Sequence, residues 1–243
     1  MSAWASLFSG GKDSSYALYL ALESGRDVSR LVTVHPPADS FMYHVPATRL
    51  ASLAAESVGI PLVEVETDGS ATPAADVTDS GAQGDREIEP LEAALSDLAD
   101  EFARAGETEL AGVTAGAVES EYQTSRLRAM AERLGIELYA PLWQEDAMDL
   151  AESMLDAGFE IRIVQVAAAG LDESWLGRTL DRGAMSELER LNETHGVHLL
   201  GEGGEYETLV TDGPHMDRRI GLEYDVVWEG TRGWLEIDDA WLE

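Results

Sequence analysis

The run Ser9-Gly10-Gly11-Lys12-Asp13-Ser14 stands between two segments of opposite character. Before it, Trp4 to Phe8 is a short apolar run with the length of a strand. After it, Ser14 to Leu22 carries Tyr16, Ala17, Leu20 and Ala21 at helical spacing. Asp13 or Ser14 suits the helix N-cap, and Gly25 suits the stop. A strand passing through two glycines into a helix outlines an anion site. The glycines let backbone N–H groups approach without side-chain obstruction. The helix start adds unsatisfied N–H groups and the positive end of a dipole. Ser9, Ser14 and Ser15 add hydroxyl donors, and Lys12 adds a charge. The spacing is not that of a Walker A loop, nor of a dinucleotide G-x-G-x-x-G.

Strands and helices alternate onward from this loop. Leu31 to Val34 reads as a second strand, closed by Pro36-Pro37. Thr48 to Val58 reads as a helix stopped by Gly59, and Leu62 to Val65 as a third strand. Residues 68–86 are rich in Gly, Ala, Asp and Ser without apolar period, and predict a surface loop. Leu91 to Ala105 is a helix, Leu110 to Thr114 a strand, Ser120 to Leu134 a helix and Leu138 to Ala140 a strand. This alternation predicts an α/β domain with a parallel sheet flanked by helices. Past Pro141 the pattern changes. Helices at Ala147 to Leu155 and Met185 to His195 flank a strand at Ile161 to Val166. From Glu202 onward the chain reads as strands, with turns at Asp212-Gly213-Pro214, Glu229-Gly230 and Arg232-Gly233. Two domains are expected, residues 1–140 and a smaller α+β domain over 141–243.

Composition narrows the function. Net charge is −31 over 243 residues, and Lys12 is the sole lysine beside fifteen arginines. An acidic surplus with lysine shed suits a salt-saturated cytoplasm, such as that of a halophilic archaeon, where screening offsets self-repulsion. The same surplus argues against stable nucleic-acid binding, which wants basic patches. The lysine that is kept lies in the glycine loop, which points to a retained role there. With no cysteine, thiol nucleophiles, thiolate metal sites and disulfides are excluded. No apolar run approaches the ~18 residues of a membrane span, and no signal-peptide pattern opens the chain. A cytoplasmic protein without membrane partners is expected.

The six-residue loop resembles the SGGxDS signature of the pyrophosphate-loop ATPases. That resemblance implies an adenine nucleotide alpha hydrolase-like fold and ATP cleaved at the α-phosphate. Five further pieces, in order along nearly the whole chain, resemble the diphthine–ammonia ligase family. They are Ser40-Phe41-Met42-Tyr43-His44, Gly116 to Arg126, Pro141-Leu142-Trp143, Gly170-Leu171, and Glu202-Gly203-Gly204-Glu205-Tyr206-Glu207-Thr208 followed by Asp212-Gly213-Pro214. The 68–86 segment departs from the family by its length. The family resemblance implies the last step of diphthamide synthesis. ATP would activate the carboxylate of diphthine on elongation factor 2 as an acyl-adenylate, and ammonia would displace AMP.

Residue roles follow from that resemblance. Ser9, Gly10, Gly11, Lys12, Asp13, Ser14 and Ser15 would bind the ATP phosphates with Mg²⁺, and Asp13 is either a metal contact or a helix cap. Val34 and His35 would read the adenine, Met42 and His44 would be lid contacts, and Gly116 would admit the ribose or α-phosphate. Ser120, Tyr122, Gln123, Trp143, Gly203, Gly204 and Thr208 would serve the acceptor. Arg126 would stabilise the adenylate or form a surface salt bridge. In extended chain Glu205 and Glu207 share a face with Tyr206 opposite. Glu202, Glu205, Tyr206 and Glu207 would recognise the quaternary ammonium of diphthine and take a proton from ammonium. Their division of labour stays open. Swapping Glu205 for Gln is expected to abolish amidation. A homodimer is compatible with this reading. Rival readings are another amide synthetase of the same superfamily acting on a small carboxylic acid, a non-catalytic nucleotide sensor, and an RNA-modifying enzyme.

Overall fold

The computed structural model describes residues 2–35, 50–66, 80–105 and 109–243. Five strands form a parallel sheet: β1 (Ala3–Leu7), β2 (Asp27–His35), β3 (Leu62–Glu66), β4 (Leu110–Thr114) and β5 (Glu137–Tyr139), in the order β3-β2-β1-β4-β5. Helices α1 (Lys12–Glu23) and α2 (Ala51–Val58) cover one face, where Leu18, Ala21, Ala54 and Ala55 pack on Trp4, Val28 and Leu31. Helices α3 (Ser80–Ala105) and α4 (Glu121–Leu134) cover the other. There Leu91, Leu95, Leu127 and Met130 pack on Ala5, Val32 and Val113. Covered on both faces, the inner strands β1 and β4 are mostly apolar and buried, whereas β3 at the edge carries Glu64 and Glu66.

The chain order reverses between β1 and β4. Strand β1 leads to β2 on one side, while its other neighbour β4 comes much later. Such a switch point opens a crevice at the carboxyl ends of the strands, where ligands bind in open α/β sheets.

The second sheet is antiparallel, in the order β7-β6-β9-β8. Its strands are β6 (Glu160–Val166), β7 (Tyr206–Asp212), β8 (Ile220–Glu229) and β9 (Arg232–Leu242). Helices α5 (Ala147–Asp156) and α6 (Arg182–His195) pack on it, capped by the Asp146 and Asp181 side chains. Tyr16, Ala17 and Val118 of the first half are buried in this same core, with Leu142 just past the boundary. Strand β7 also bonds directly to the glycine loop, through a Val210 N–H to Gly10 carbonyl hydrogen bond of 2.9 Å.

Three local expectations change. Helix α3 begins at Ser80, so the second part of the expected 68–86 loop is helical, and Pro90 lies inside the helix. The ladder propagates backwards from the buried stripe of Ile88, Leu91, Leu95, Leu98 and Phe102. Helix α1 begins at Lys12, with Gly11 at the N-cap and no side-chain cap, so Asp13 lies in its first turn. Arg232-Gly233 belongs to β9, and the hairpin turns at Gly230, whose φ is 63°.

Candidate active site

A cavity of about 450 Å³ opens at the switch point, within the range of small-molecule sites. Its floor is the glycine loop. The Ser14 Oγ donates to the Gly11 carbonyl at 3.1 Å, and the Ser9 N–H donates to Ser14 Oγ at 3.2 Å. The Ser9 and Ser14 hydroxyls lie 3.1 Å apart. The first helical bond runs from Ser15 N–H to the Gly11 carbonyl at 3.0 Å, which leaves the Asp13 and Ser14 N–H groups at the open helix end.

Lys12 is buried, with only 4% of its surface exposed. Its Nζ donates to Asp13 Oδ2 at 2.7 Å and sits 5.8 Å from the centre of the Tyr206 ring. The other Asp13 oxygen is buried without a hydrogen-bond partner. A buried, half-satisfied carboxylate is costly by itself, so this oxygen calls for a cation or a donor.

Gly116, just past β4, has no room for a side chain. A Cβ there would come within 2.6 Å of the Asp13 carbonyl and 2.7 Å of the Ser14 nitrogen. Its nearest neighbour is therefore the loop backbone itself. Ser120 caps α4 by accepting from Gln123 N–H at 3.3 Å, which turns this helix start toward the cavity.

The opposite wall comes from the second sheet. Thr208 Oγ1 accepts from the Lys12 N–H at 3.2 Å. Tyr206 is buried, and its hydroxyl donates to the Leu199 carbonyl. Burial pushes its phenol well above the ordinary value, reinforced by the carboxylates of Asp13, Glu205 and Glu202. Glu202 lines the cavity, and its carboxyl is raised as well. Burial is the main cause and the charge of Asp13 the second, opposed by Lys12 and a backbone hydrogen bond from Glu119. A carboxylate held above its ordinary value can carry a proton closer to neutral pH.

Of the residues singled out in the sequence, the cavity gathers Ser9, Gly11, Lys12, Asp13, Ser14, Val34 and Gly116. It also gathers Ser120, Gln123, Glu202, Gly203, Tyr206, Glu207 and Thr208. Others lie elsewhere. Gly10 bonds to β7, and Ser15 is buried beneath the loop. His35, at the end of β2, lies 3.9 Å from Glu64. The Arg126 guanidinium stacks 3.7 Å from the Tyr122 ring centre and donates to the Tyr122 carbonyl at 3.0 Å. Trp143 borders a separate hollow beside Arg128 and Glu132. Gly204 takes a φ of 79° in the turn before β7. Met42 and His44 lie outside the described residues.

Glu205 differs from the extended-chain expectation. It precedes β7 and folds back into the turn, where Oε1 accepts from His198 N–H at 3.2 Å and Oε2 from Gly203 N–H at 2.9 Å. Tyr206 and Glu207, rather than Glu205 and Glu207, meet at the cavity. His198 was not anticipated. Its role emerges only once Glu119, Glu202 and Glu205 are brought around it.

Among the described residues, no three carboxylates or imidazoles converge as a metal cage, and no helix is long and apolar enough to cross a membrane.

Residues 2–138 match the model of the diphthamide synthase N-terminal domain, and residues 146–242 that of the C-terminal domain. The diphthine–ammonia ligase of Homo sapiens is 33% identical over 225 residues, covering 89% of this chain and 81% of that protein. That of Danio rerio is 32% identical over 242 residues, covering 96% and 89%. That of Saccharomyces cerevisiae is 31% identical over 229 residues, covering 86% of this chain and 32% of the longer relative. With both halves matched, the chain belongs to the diphthamide synthase family and is a ligase that joins carbon to nitrogen.

Proposed function

We propose that the chain amidates diphthine on elongation factor 2, using ATP and ammonia and releasing AMP and pyrophosphate. The observation that carries this reading is that one cavity joins the glycine loop to the Glu202 to Thr208 segment. The first is built to hold phosphate, and the second offers carboxylates and an aromatic ring to a cationic acceptor.

The chemistry runs in two steps. A carboxylate oxygen of diphthine attacks the α-phosphorus of ATP, the bond to the bridging oxygen breaks, and pyrophosphate leaves. Ammonia then attacks the activated carbonyl carbon, AMP leaves, and the nitrogen gives up a proton. In this chain, Lys12 and the N–H groups of Asp13 and Ser14 hold the leaving phosphates. Their preorganised charge acts where negative charge builds up. The buried oxygen of Asp13 is the protein contact suited to Mg²⁺, which offsets phosphate charge when bound. Val34 and its neighbours on β2 border the space for the base. Glu202 takes the proton from the incoming nitrogen, a task that suits a carboxyl raised above its ordinary range. Glu207 and Tyr206 face the trimethylammonium group. The charge of −31 belongs with a salt-rich cytoplasm as the place of work.

The test is incubation of the purified protein with ATP, Mg²⁺, ammonium and elongation factor 2 bearing diphthine. AMP release that depends on the modified factor, with amide formation seen by mass spectrometry, is the expected result. AMP release that is equal without the factor, or driven by a small carboxylic acid instead, rejects the reading.

A further inference from the structure

We infer that His198 is a positioning residue, a neutral hub that fixes the Glu202 carboxylate in the cavity by tying its turn to Glu119 across the two halves. The inference deepens the proposed function and rests on it for the role of Glu202.

The tautomer follows from the hydrogen bonds. Nδ1 of His198 accepts from two backbone donors, Leu200 N–H at 3.1 Å and Glu202 N–H at 3.4 Å. A nitrogen facing two N–H donors must offer its lone pair, so it carries no proton. The ring proton therefore sits on Nε2, which lies 3.4 Å from a carboxylate oxygen of Glu119. This is the arrangement in which a carboxylate sets the orientation of an imidazole.

The backbone of the same residue closes the turn. The His198 N–H donates to Glu205 Oε1, and the His198 carbonyl accepts from Gly201 N–H at 3.1 Å. Glu205 holds Gly203 with its other oxygen. The turn from His198 to Glu205 is thus braced from within by one imidazole and one carboxylate. Glu119 lies in the loop after β4, on the far side of the cavity. Its side chain meets His198, and its backbone hydrogen-bonds the Glu202 carboxylate. Glu202 is consequently held through its own main chain by His198 and through its carboxylate by Glu119.

Glu205 acts in this arrangement as a brace, since both its oxygens already accept backbone N–H groups. A substitution there reaches the chemistry through the turn.

The test compares His198→Ala with His198→Asn, whose side-chain oxygen can replace Nδ1 as acceptor but cannot reach Glu119. A misplacement of about 1 Å lowers turnover roughly 100-fold, so His198→Ala should reduce kcat by about that factor with an unchanged KM for ATP. His198→Asn should recover at least about tenfold of that loss by restoring the two backbone bonds. Unchanged kcat in His198→Ala, or a higher KM for ATP with kcat intact, overturns the inference. Nitrogen-15 NMR of the unsubstituted protein gives a second readout that needs no substrate and no variant. Protonated Nε2 with bare Nδ1 supports the hub, and a proton on Nδ1 refutes it. If the protein fails to amidate diphthine at all, the proposed function falls, while the NMR result still decides the tautomer and the turn.

Discussion

Thr208 in β7 accepts a hydrogen bond from the backbone N–H of Lys12, joining residues 196 positions apart at the mouth of the glycine loop. The bond is buried, so its loss leaves an N–H without a partner. That costs about 1–3 kcal/mol. Thr208→Val should lower stability by this amount and weaken ATP binding, whereas Thr208→Ser should keep both. Chemical denaturation with nucleotide titration checks the pair.

Lys12 carries the only ammonium group in the chain apart from the N-terminus. Lys12→Met should reduce ATP turnover by about 100-fold or more, the scale for removing one preorganised donor to developing charge. Pyrophosphate release reads this directly. Turnover within about threefold of the parent protein would place the lysine in a structural role, balancing Asp13.

Glu202 predicts opposite effects on activity and stability. Burial and Asp13 raise its folded-state pKa above the ordinary 4.5. Its charge therefore burdens the fold as pH rises through the folded value, and the burden is absent below 4.5. Glu202→Gln should abolish amidation yet raise the melting temperature at neutral pH. The two proteins should converge in stability below pH 4.5.

His215 gives the fold an acid limit. Its ring stacks on Phe159 at 5.1 Å, and neither ring nitrogen has a hydrogen-bond partner among the described residues. Burial lowers its pKa from 6.5 to about 4. The unfolded chain takes up this proton below pH 6.5 and the folded chain resists it, so stability is complete above 6.5 and declines toward 4. His215→Phe should remove the decline. The stability difference between the two proteins should change by up to roughly 3 kcal/mol across this window.

Gly116→Ala should disrupt the loop without removing any polar group. The added methyl meets backbone atoms at 2.6 Å, so the glycine loop must move. A rise in KM for ATP of at least about tenfold is expected, since a small misplacement suffices for that. Unaltered ATP affinity would show that the loop tolerates the shift.

Much of this was legible in local sequence. The alternation of apolar runs and helical stripes placed the five parallel strands, and the glycine loop placed the crevice. The residues from Glu202 to Thr208 pointed to the second wall. The start of α3 was hidden because Gly81 and Gly84 lower helix propensity, while the buried stripe that stabilises this helix begins only at Ile88. Glu205 and His198 were obscured for a different reason. Glu205 folds back onto backbone N–H groups of its own turn, and His198 meets Glu119, which is close in space and remote in chain; no periodicity reports either. A lone histidine in Val197-His198-Leu199 carries no local signal of its role.

The bonds from Val210 N–H to the Gly10 carbonyl and from Lys12 N–H to Thr208 Oγ1 make the phosphate loop behave as an extra edge of the second sheet. Tyr16 and Ala17, on the helix that leaves the loop, are buried in the second core as well. Parting the two halves like jaws would break bonds that shape the loop's grip on a nucleotide. Cutting the first half free as a nucleotide-binding module would break the same bonds. A fragment ending near residue 140 would lose the strand that supports its own loop and would expose an aromatic helix face to water.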